Sequence, residues 1–197
     1  MKQKLLCLIS GGIDSPVAAH MMLAKDYDVE FVNFDLTPVG NDYTQKKIKK
    51  LVAQLGKLHK KKLKLTFLDH GKQLIQYYQK LDEKERKQLC LLCRRRMLMQ
   101  AEKFAKKIKA DALLTGENLA QVASQTIDNM LVEDKAIKIS VVRPLIGLNK
   151  QEIIDIARKI ETYSISIEPG GCCNITPERP EIHADIKEIE RIEKKVK

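Results

Sequence analysis

The sequence predicts an α/β fold, a doubly wound parallel sheet of about five strands with helices on both faces. Three observations predict it. Short apolar runs rich in β-branched and aromatic residues recur at 5–9, 29–35, 63–68, 112–115 and 139–142. Helical patterns alternate with them at 17–25, 43–55, 72–81, 84–109, 120–131 and 151–160. The first run leads directly into Ser10-Gly11-Gly12-Ile13-Asp14-Ser15, a Gly-Gly turn at a strand–helix junction. Alternating β and α units imply parallel pairing, and such sheets bind ligands beyond the carboxyl ends of their strands. Residues 10–15, Asp35, 115–117 and 143–144 all fall at predicted strand ends and should converge on one side.

Taken in order, the strand at 5–9 is apolar throughout, as a strand buried on both faces must be. Ser15 and Pro16 open the helix at 17–25, since proline is favoured in a first helical turn. Paired glycines let the backbone pass close to a bulky ligand, and the free N–H groups of a helix start suit a phosphate. Neither G-x-x-x-x-G-K-[ST] nor G-x-G-x-x-G occurs, so the other common phosphate loops are excluded. An ordinary Gly-Gly loop is the plain alternative. The helix at 84–109 carries Cys90-x-x-Cys93 and Arg94-Arg95-Arg96. After the strand at 112–115 come Thr115-Gly116-Glu117 and then the helix at 120–131. Asn149 reads as an N-cap with Glu152 as its capping-box partner. Lys150 then opposes the helix dipole, which an anionic ligand nearby would explain; a solvated first-turn lysine is the alternative. Residues 181–197 form a charged tail with Ile182, Ile186 and Ile189 at amphipathic spacing.

The 197 residues favour one domain, expected over 1–180 with the tail at 181–197. Hydrophobic residues at 44% and charged residues at 31% make a globular balance. No apolar run approaches a membrane span, and the five apolar residues behind the N-terminus are too few for a signal peptide. A cytoplasmic protein without membrane association is therefore expected, with its cysteines mostly reduced. The net charge is +10, and residues 43–68 hold many lysines and no acid. That field fits a polyanionic partner, most simply nucleic acid, or equally a solvated lysine face. Without interleaved aromatics, any RNA contact would be to phosphates and shape.

Three strings, I-S-G-G-I-D-S-P-V-A-A at 9–19, T-G-E-N-L-A-Q-V-A-S-Q-T at 115–126 and R-P-L-I-G-L-N-K-Q-E-I-I-D-I-A-R-K-I at 143–160, occur in this order before Cys172-Cys173. Together they resemble the PP-loop ATP pyrophosphatase domain of the tRNA 4-thiouridine synthase family, ThiI. The resemblance covers about 5–173 and implies an adenine nucleotide α-hydrolase-like fold. It implies an ATP-dependent sulfurtransferase that adenylates a tRNA uridine at position eight, releases pyrophosphate, and replaces the activated oxygen with sulfur. By the same resemblance Ser10, Gly11, Gly12 and Ser15 cradle pyrophosphate, and Asp14 holds Mg²⁺ or orders the phosphates. Lys150 stabilises phosphate charge. Thr115, Gly116, Glu117 and Gln125 serve the nucleotide, and Asn33, Phe34 and Asp35 contact adenosine. Cys172 takes part in sulfur transfer, and Cys90, Cys93 and Cys172 are the expected iron–sulfur ligands.

The residues alone leave the cysteines open among an iron–sulfur cluster, a zinc site, a persulfide or disulfide relay, and plain helix positions. Cys7 reads as core. The implied partners are tRNA, a sulfide or persulfide donor, a separate THUMP-type protein and a second copy of the chain. Neither a THUMP nor a rhodanese-like domain is expected in these residues. A role in thiamine synthesis belongs to the wider family. The alternative functions are another PP-loop enzyme adenylating a different substrate, and a non-catalytic ATP- and RNA-binding subunit.

Overall fold

The computed structural model describes residues 2–40, 43–119, 125–170 and 173–196, the Tyr43 side chain excepted. Its sheet is parallel throughout, in the order β3-β2-β1-β4-β5. The strands are β1 (Lys4–Leu8), β2 (Asp28–Asp35), β3 (Leu65–Asp69), β4 (Ala112–Leu114) and β5 (Val141–Val142). The helices are α1 (Asp14–Ala24), α2 (Tyr43–His59), α3 (Gly71–Lys80), α4 (Leu89–Ile108), α5 (Ile127–Asp134), α6 (Lys150–Lys159), α7 (Tyr163–Ser166) and α8 (Ile186–Val196). This is the doubly wound sheet that the sequence predicts.

Side chains alternate across a strand, and the central strands are apolar on both faces. Leu5, Cys7, Val29, Phe31, Ala112 and Leu114 face one core with Val17, Ala18 and Met22 of α1, Ile48 and Val52 of α2, and Ile153 and Ala157 of α6. Leu6, Val32, Phe34 and Leu113 face the other, against Leu98, Ala101 and Ala105 of α4. A third cluster joins Leu74 and Tyr77 of α3, Leu89, Leu91 and Leu92 of α4, and Ile189, Ile192 and Val196 of α8. The winding reverses at β1 and β4, which are sheet neighbours although α1 to α4 separate them in sequence. The loops leaving these two strands therefore diverge to opposite faces and leave a crevice between them.

Several boundaries differ from expectation. Helix α1 starts three residues early, at Asp14, and places Ser15 and Pro16 inside its first turn. Proline is tolerated there because first-turn amides have no intrahelical acceptor. The single helix expected over 84–109 is a 3₁₀ turn, Glu85–Gln88, followed by α4. Helix α5 starts later than expected, with Thr126 as N-cap accepting from the Asn129 amide at 3.2 Å. Residues 120–124 of the expected helix lie outside the described residues. Helix α7 was not anticipated. Ile182 is exposed and precedes α8, whose buried stripe is Ile189, Ile192 and Val196.

Helix α8 is fastened by more than its apolar stripe. Arg95 of α4 and Glu193 of α8 are both buried and form a two-pronged pair, Nε to Oε1 at 2.8 Å and Nη2 to Oε2 at 3.0 Å. Arg95 also donates to the Val132 carbonyl. A buried pair adds little net stability, but removing one partner strands the other charge. Glu193→Ala is therefore expected to lower unfolding free energy by about 3–5 kcal/mol, whereas Arg95→Met with Glu193→Leu costs less than the single change. Urea denaturation of the three proteins measures both.

Candidate active site at the β1–β4 crevice

The loop after β1 is shaped by its own serines. The Ser10 amide donates to Ser15 Oγ at 2.9 Å, the two hydroxyl oxygens lie 3.1 Å apart, and the Gly12 amide reaches Ser10 Oγ at 3.3 Å. Ser15 is buried. Both hydroxyls thus hold the loop's shape around the N-terminus of α1, where unpaired amides and the helix dipole favour an anion. Among the described residues no glycine has a positive φ. Gly11 and Gly12 supply room rather than a left-handed backbone. Asn33, buried in β2, donates from Nδ2 to the Ile9 carbonyl at 2.8 Å and pins the loop's base. Phe34 is also buried and meets His70 edge-on at 5.7 Å between ring centroids. The Asp35 carboxylate accepts from Thr37 and Gln45.

Helix α6 meets α1 across the crevice. Asn149 caps α6 with the expected capping box, its side chain accepting from the Glu152 amide at 3.0 Å while Glu152 Oε2 accepts from the Asn149 amide at 2.7 Å. Lys150 is the first residue of α6 and Asp14 the first of α1. Lys150 Nζ lies 2.6 Å from Asp14 Oδ1. Two helix N-termini thus face one place with a cation and a carboxylate between them. Asp14 answers the unfavourable position of Lys150 in its own helix.

The wall opposite comes from the end of β4. A Cβ built on Gly116 would lie 2.5 Å from the Ser15 amide nitrogen, a distance no side chain tolerates. Glu117, 4% exposed, accepts from Thr115 Oγ1 at 2.8 Å and from Arg143 Nε at 2.5 Å, and pairs with Arg94. Arg94 continues to Glu133 at 2.8 Å and Arg143 to Asp134. Burial pushes the Glu133 carboxyl up, against the pull of Arg94. Thr115 and Glu117 therefore face each other within the wall. Gln125 Oε1 is buried without a hydrogen-bond partner, an acceptor lacking its donor.

Cys90 and Cys93 occupy the first turns of α4, and Cys93 Sγ lies 3.2 Å from His70 Nε2. Gln100 Nε2 donates to the Asp69 carbonyl at 3.3 Å, which turns Gln100 Oε1 toward His70 Nδ1 at 3.0 Å. With Nδ1 as donor, Nε2 is left as the acceptor for the thiol. Burial lowers the pKa of His70, which keeps it neutral. Cys173 shares an apolar cluster with Cys93, Leu89 and Leu92. Cys172 lies outside the described residues, as do 121–124 of the second motif. Among the described residues no three His, Cys, Asp or Glu side chains are grouped to hold a metal. Cys7 is buried in β1, where desolvation pushes its thiol pKa well up.

Ser10–Ser15, Thr115–Glu117, Arg143 and Lys150 thus meet at one crevice, with Asn33 beneath it. Three further residues had no sequence signal of their own. Arg94 lies in a basic run, Lys47 in a lysine-rich stretch that fits a polyanionic partner or a solvated face equally, and His70 belongs to no motif. Lys47 is in fact buried. An open groove between α2 and β3, lined by Lys49, Lys57, Lys61 and Leu65, includes none of the expected site residues.

Comparison with known proteins adds the family. The whole chain, 1–197, matches the family model described as Thiamine biosynthesis protein (ThiI). Proteins described as probable tRNA sulfurtransferase are similar to it: 39% identical over 195 residues in Methanocaldococcus jannaschii, and 39% over 196 in Caldanaerobacter subterraneus subsp. tengcongensis. Each alignment covers 98% of this chain and 50% of the relative. The crystal structure of a 4-thiouridine synthetase–RNA complex with bound ATP superposes with a TM-score of 0.91 at 32% identity, over 98% of this chain and 50% of that one. NMN synthetase from Francisella tularensis shares the fold alone, at a TM-score of 0.65 and 11% identity, over 98% of this chain and 77% of that one. The chain spans about half the length of the sulfurtransferase relatives. The chain belongs to the ThiI family.

Within the site, packing and charge separate by their stability effects. Gly116→Ala is expected to destabilise the fold by about 1–3 kcal/mol through the clash with Ser15. Asp14→Ala is expected to cost less than about 1 kcal/mol, because its pair with Lys150 is partly exposed. Chemical denaturation of both variants checks the order.

Proposed function

We propose that this chain is the ATP-using part of a tRNA uridine sulfurtransferase. The observation that carries the reading is the Asp14–Lys150 pair, held between two facing helix N-termini beside the 10–15 loop. Such a place suits a polyphosphate, whose charge the helix starts and Lys150 would meet. The neighbouring 4-thiouridine synthetase, seen with RNA and ATP, supports ATP as co-substrate and RNA as substrate.

In the proposed reaction the uridine C4 oxygen attacks the α-phosphorus of ATP, and pyrophosphate leaves. Lys150 stabilises the charge that builds on the phosphates, and the amides at the start of α1 hold the departing pyrophosphate. Asp14 would offer oxygen ligands to a Mg²⁺ accompanying ATP, which would offset phosphate charge there. A sulfur nucleophile then adds at C4, the C4–oxygen bond breaks, and AMP carries that oxygen away. Sulfide is the simplest nucleophile of this reading; if a persulfide on Cys172 served instead, its outer sulfur would bond to C4 and a second thiol would then attack Cys172 Sγ, breaking the S–S bond, freeing the thiolated base and leaving a disulfide. An iron–sulfur cluster on Cys90, Cys93 and Cys172 would present sulfide in its place; the described thiols do not by themselves make up its ligand set, and no step here depends on it. The exposed lysines of α2 supply a field for the tRNA backbone.

Nucleoside mass spectrometry of bulk tRNA from a strain lacking the gene tests the reading. Loss of 4-thiouridine is expected, restored by the intact gene and not by Asp14→Ala. In vitro, Lys150→Ala is expected to lower tRNA-dependent AMP formation by about 10²–10³-fold. Unchanged 4-thiouridine in the deletion strain overturns the tRNA assignment. ATP cleavage without tRNA would favour another PP-loop chemistry, and tight ATP binding without turnover a non-catalytic subunit.

A further inference from the structure

We propose that Lys47 is a second cation of the phosphate site, donating to the pyrophosphate portion of the nucleotide while also tying the 166–170 segment to the 10–15 loop. The proposal rests on the ATP reading above and adds a residue from α2 to it.

Lys47 is 6% exposed, unusual for a lysine without a carboxylate partner. Its Nζ donates to the Glu168 carbonyl oxygen at 2.8 Å, a neutral acceptor. The Glu168 carboxylate is drawn off by Lys50, at 2.8 Å from both of its oxygens. An ammonium has three N–H donors, so two remain to be met in a poorly solvated place. Burial accordingly pushes its pKa down, opposed only in part by the Glu168 charge.

The surroundings of this ammonium are bare of side chains on two sides. A Cβ built on Gly11 would lie 3.3 Å from Lys47 Cδ and 3.7 Å from Nζ. A Cβ on Gly170 would lie 3.6 Å from Nζ and 4.0 Å from Thr44 Oγ1. Thr44, in the first turn of α2, has its hydroxyl oxygen buried with no hydrogen-bond partner. A desolvated ammonium therefore lies against two glycine backbones, and an unpartnered hydroxyl lies near one of them, Gly170. One of those glycines, Gly11, belongs to the loop at the start of α1, which on the ATP reading holds phosphate. Lys150 approaches that loop from α6 and Lys47 from α2, so a pyrophosphate seated there would have a cation on either side.

Ser166 Oγ adds a second tie to the same loop, donating to the Gly12 carbonyl at 3.3 Å. Phosphate on Lys47 would thus act on the segment that leads to Cys172, because one ammonium serves both.

Calorimetric titration of the full chain with inorganic pyrophosphate and with Mg·ATP tests this. Lys47→Met is expected to raise the dissociation constant for pyrophosphate about tenfold or more, the size of a lost charged hydrogen bond. Lys57→Met, at an exposed lysine in the last turn of the same helix, should change it less than twofold. Thr44→Val provides a variant whose two effects differ in sign: it removes an unsatisfied hydroxyl, so the ligand-free melting temperature should hold or rise while pyrophosphate binds at least threefold more weakly. Binding within twofold of the parent protein in both Lys47→Met and Thr44→Val would overturn the proposal and leave the ATP reading standing. A parent protein that binds neither pyrophosphate nor ATP would overturn both.

Discussion

The site depends on the contact of one backbone with another at Gly116. Strands β1 and β4 are neighbours in the sheet, yet the chain leaves them for different faces. A crevice at such a reversal stays open or closes according to how near the two exit loops approach. Here the β4 exit comes so near that a Cβ on residue 116 would fall 2.5 Å from the Ser15 nitrogen and 2.7 Å from the Asp14 carbonyl carbon. The start of α1 is thereby braced from behind. Asp14 and the 10–15 loop are held against the sheet on one side and left open to Lys150 on the other.

The charges behind that contact are arranged for position more than for stability. Glu117 is almost fully buried, and buried ion pairs return little net free energy once desolvation is counted. What Glu117 does provide is geometry. Arg94 and Arg143 reach it from α4 and from the end of β5, and each carries on to a second carboxylate on α5. Guanidinium groups suit this use because their planar array of donors fixes direction as well as distance. Arg94 follows Cys93 directly in α4, so the wall of the crevice and the turn bearing the C-x-x-C pair are held as one piece.

The parts legible in the sequence are those encoded locally or by long patterns. Strands β1 and β4 are legible because strands buried on both faces are apolar, and β2, β3 and β5 because short β-branched and aromatic runs recur between helical patterns. The α6 capping box was visible because Asn149 and Glu152 are three residues apart. The sequence puts Ser15 and Pro16 ahead of a helix at 17–25, whereas α1 starts at Asp14, because any position in the first turn admits proline. Lys47 and Arg94 were illegible for another reason. Both sit in runs of like charge, and nothing in such a run tells which member faces inward. Lys47 shares a helix face with Ile48 and Leu51 of the core, while Lys46, Lys49 and Lys50 are exposed. Burial of a single lysine is set by what packs on it from elsewhere, here the segment ending at Gly170.

The same segment connects the two halves of the proposed chemistry. Adenylation needs a phosphate site, and sulfur transfer needs a thiol or sulfide near the same carbon. Residues 166–170 lie against the loop and Lys47, Asn174 bonds through its amide to the Val39 carbonyl at 2.8 Å, and Cys173 packs with Cys93. The described residues on either side of Cys172 in sequence are thus tied, 166–170 to the phosphate loop and 173–174 to the C-x-x-C cluster and Val39. On the sulfurtransferase reading, the base must enter between these anchors with its C4 oxygen toward the α-phosphate. A base paired in an A-form helix shows that atom only in a deep, narrow groove, so on the same reading the RNA would release the base from its stack, as enzymes acting on bases generally require.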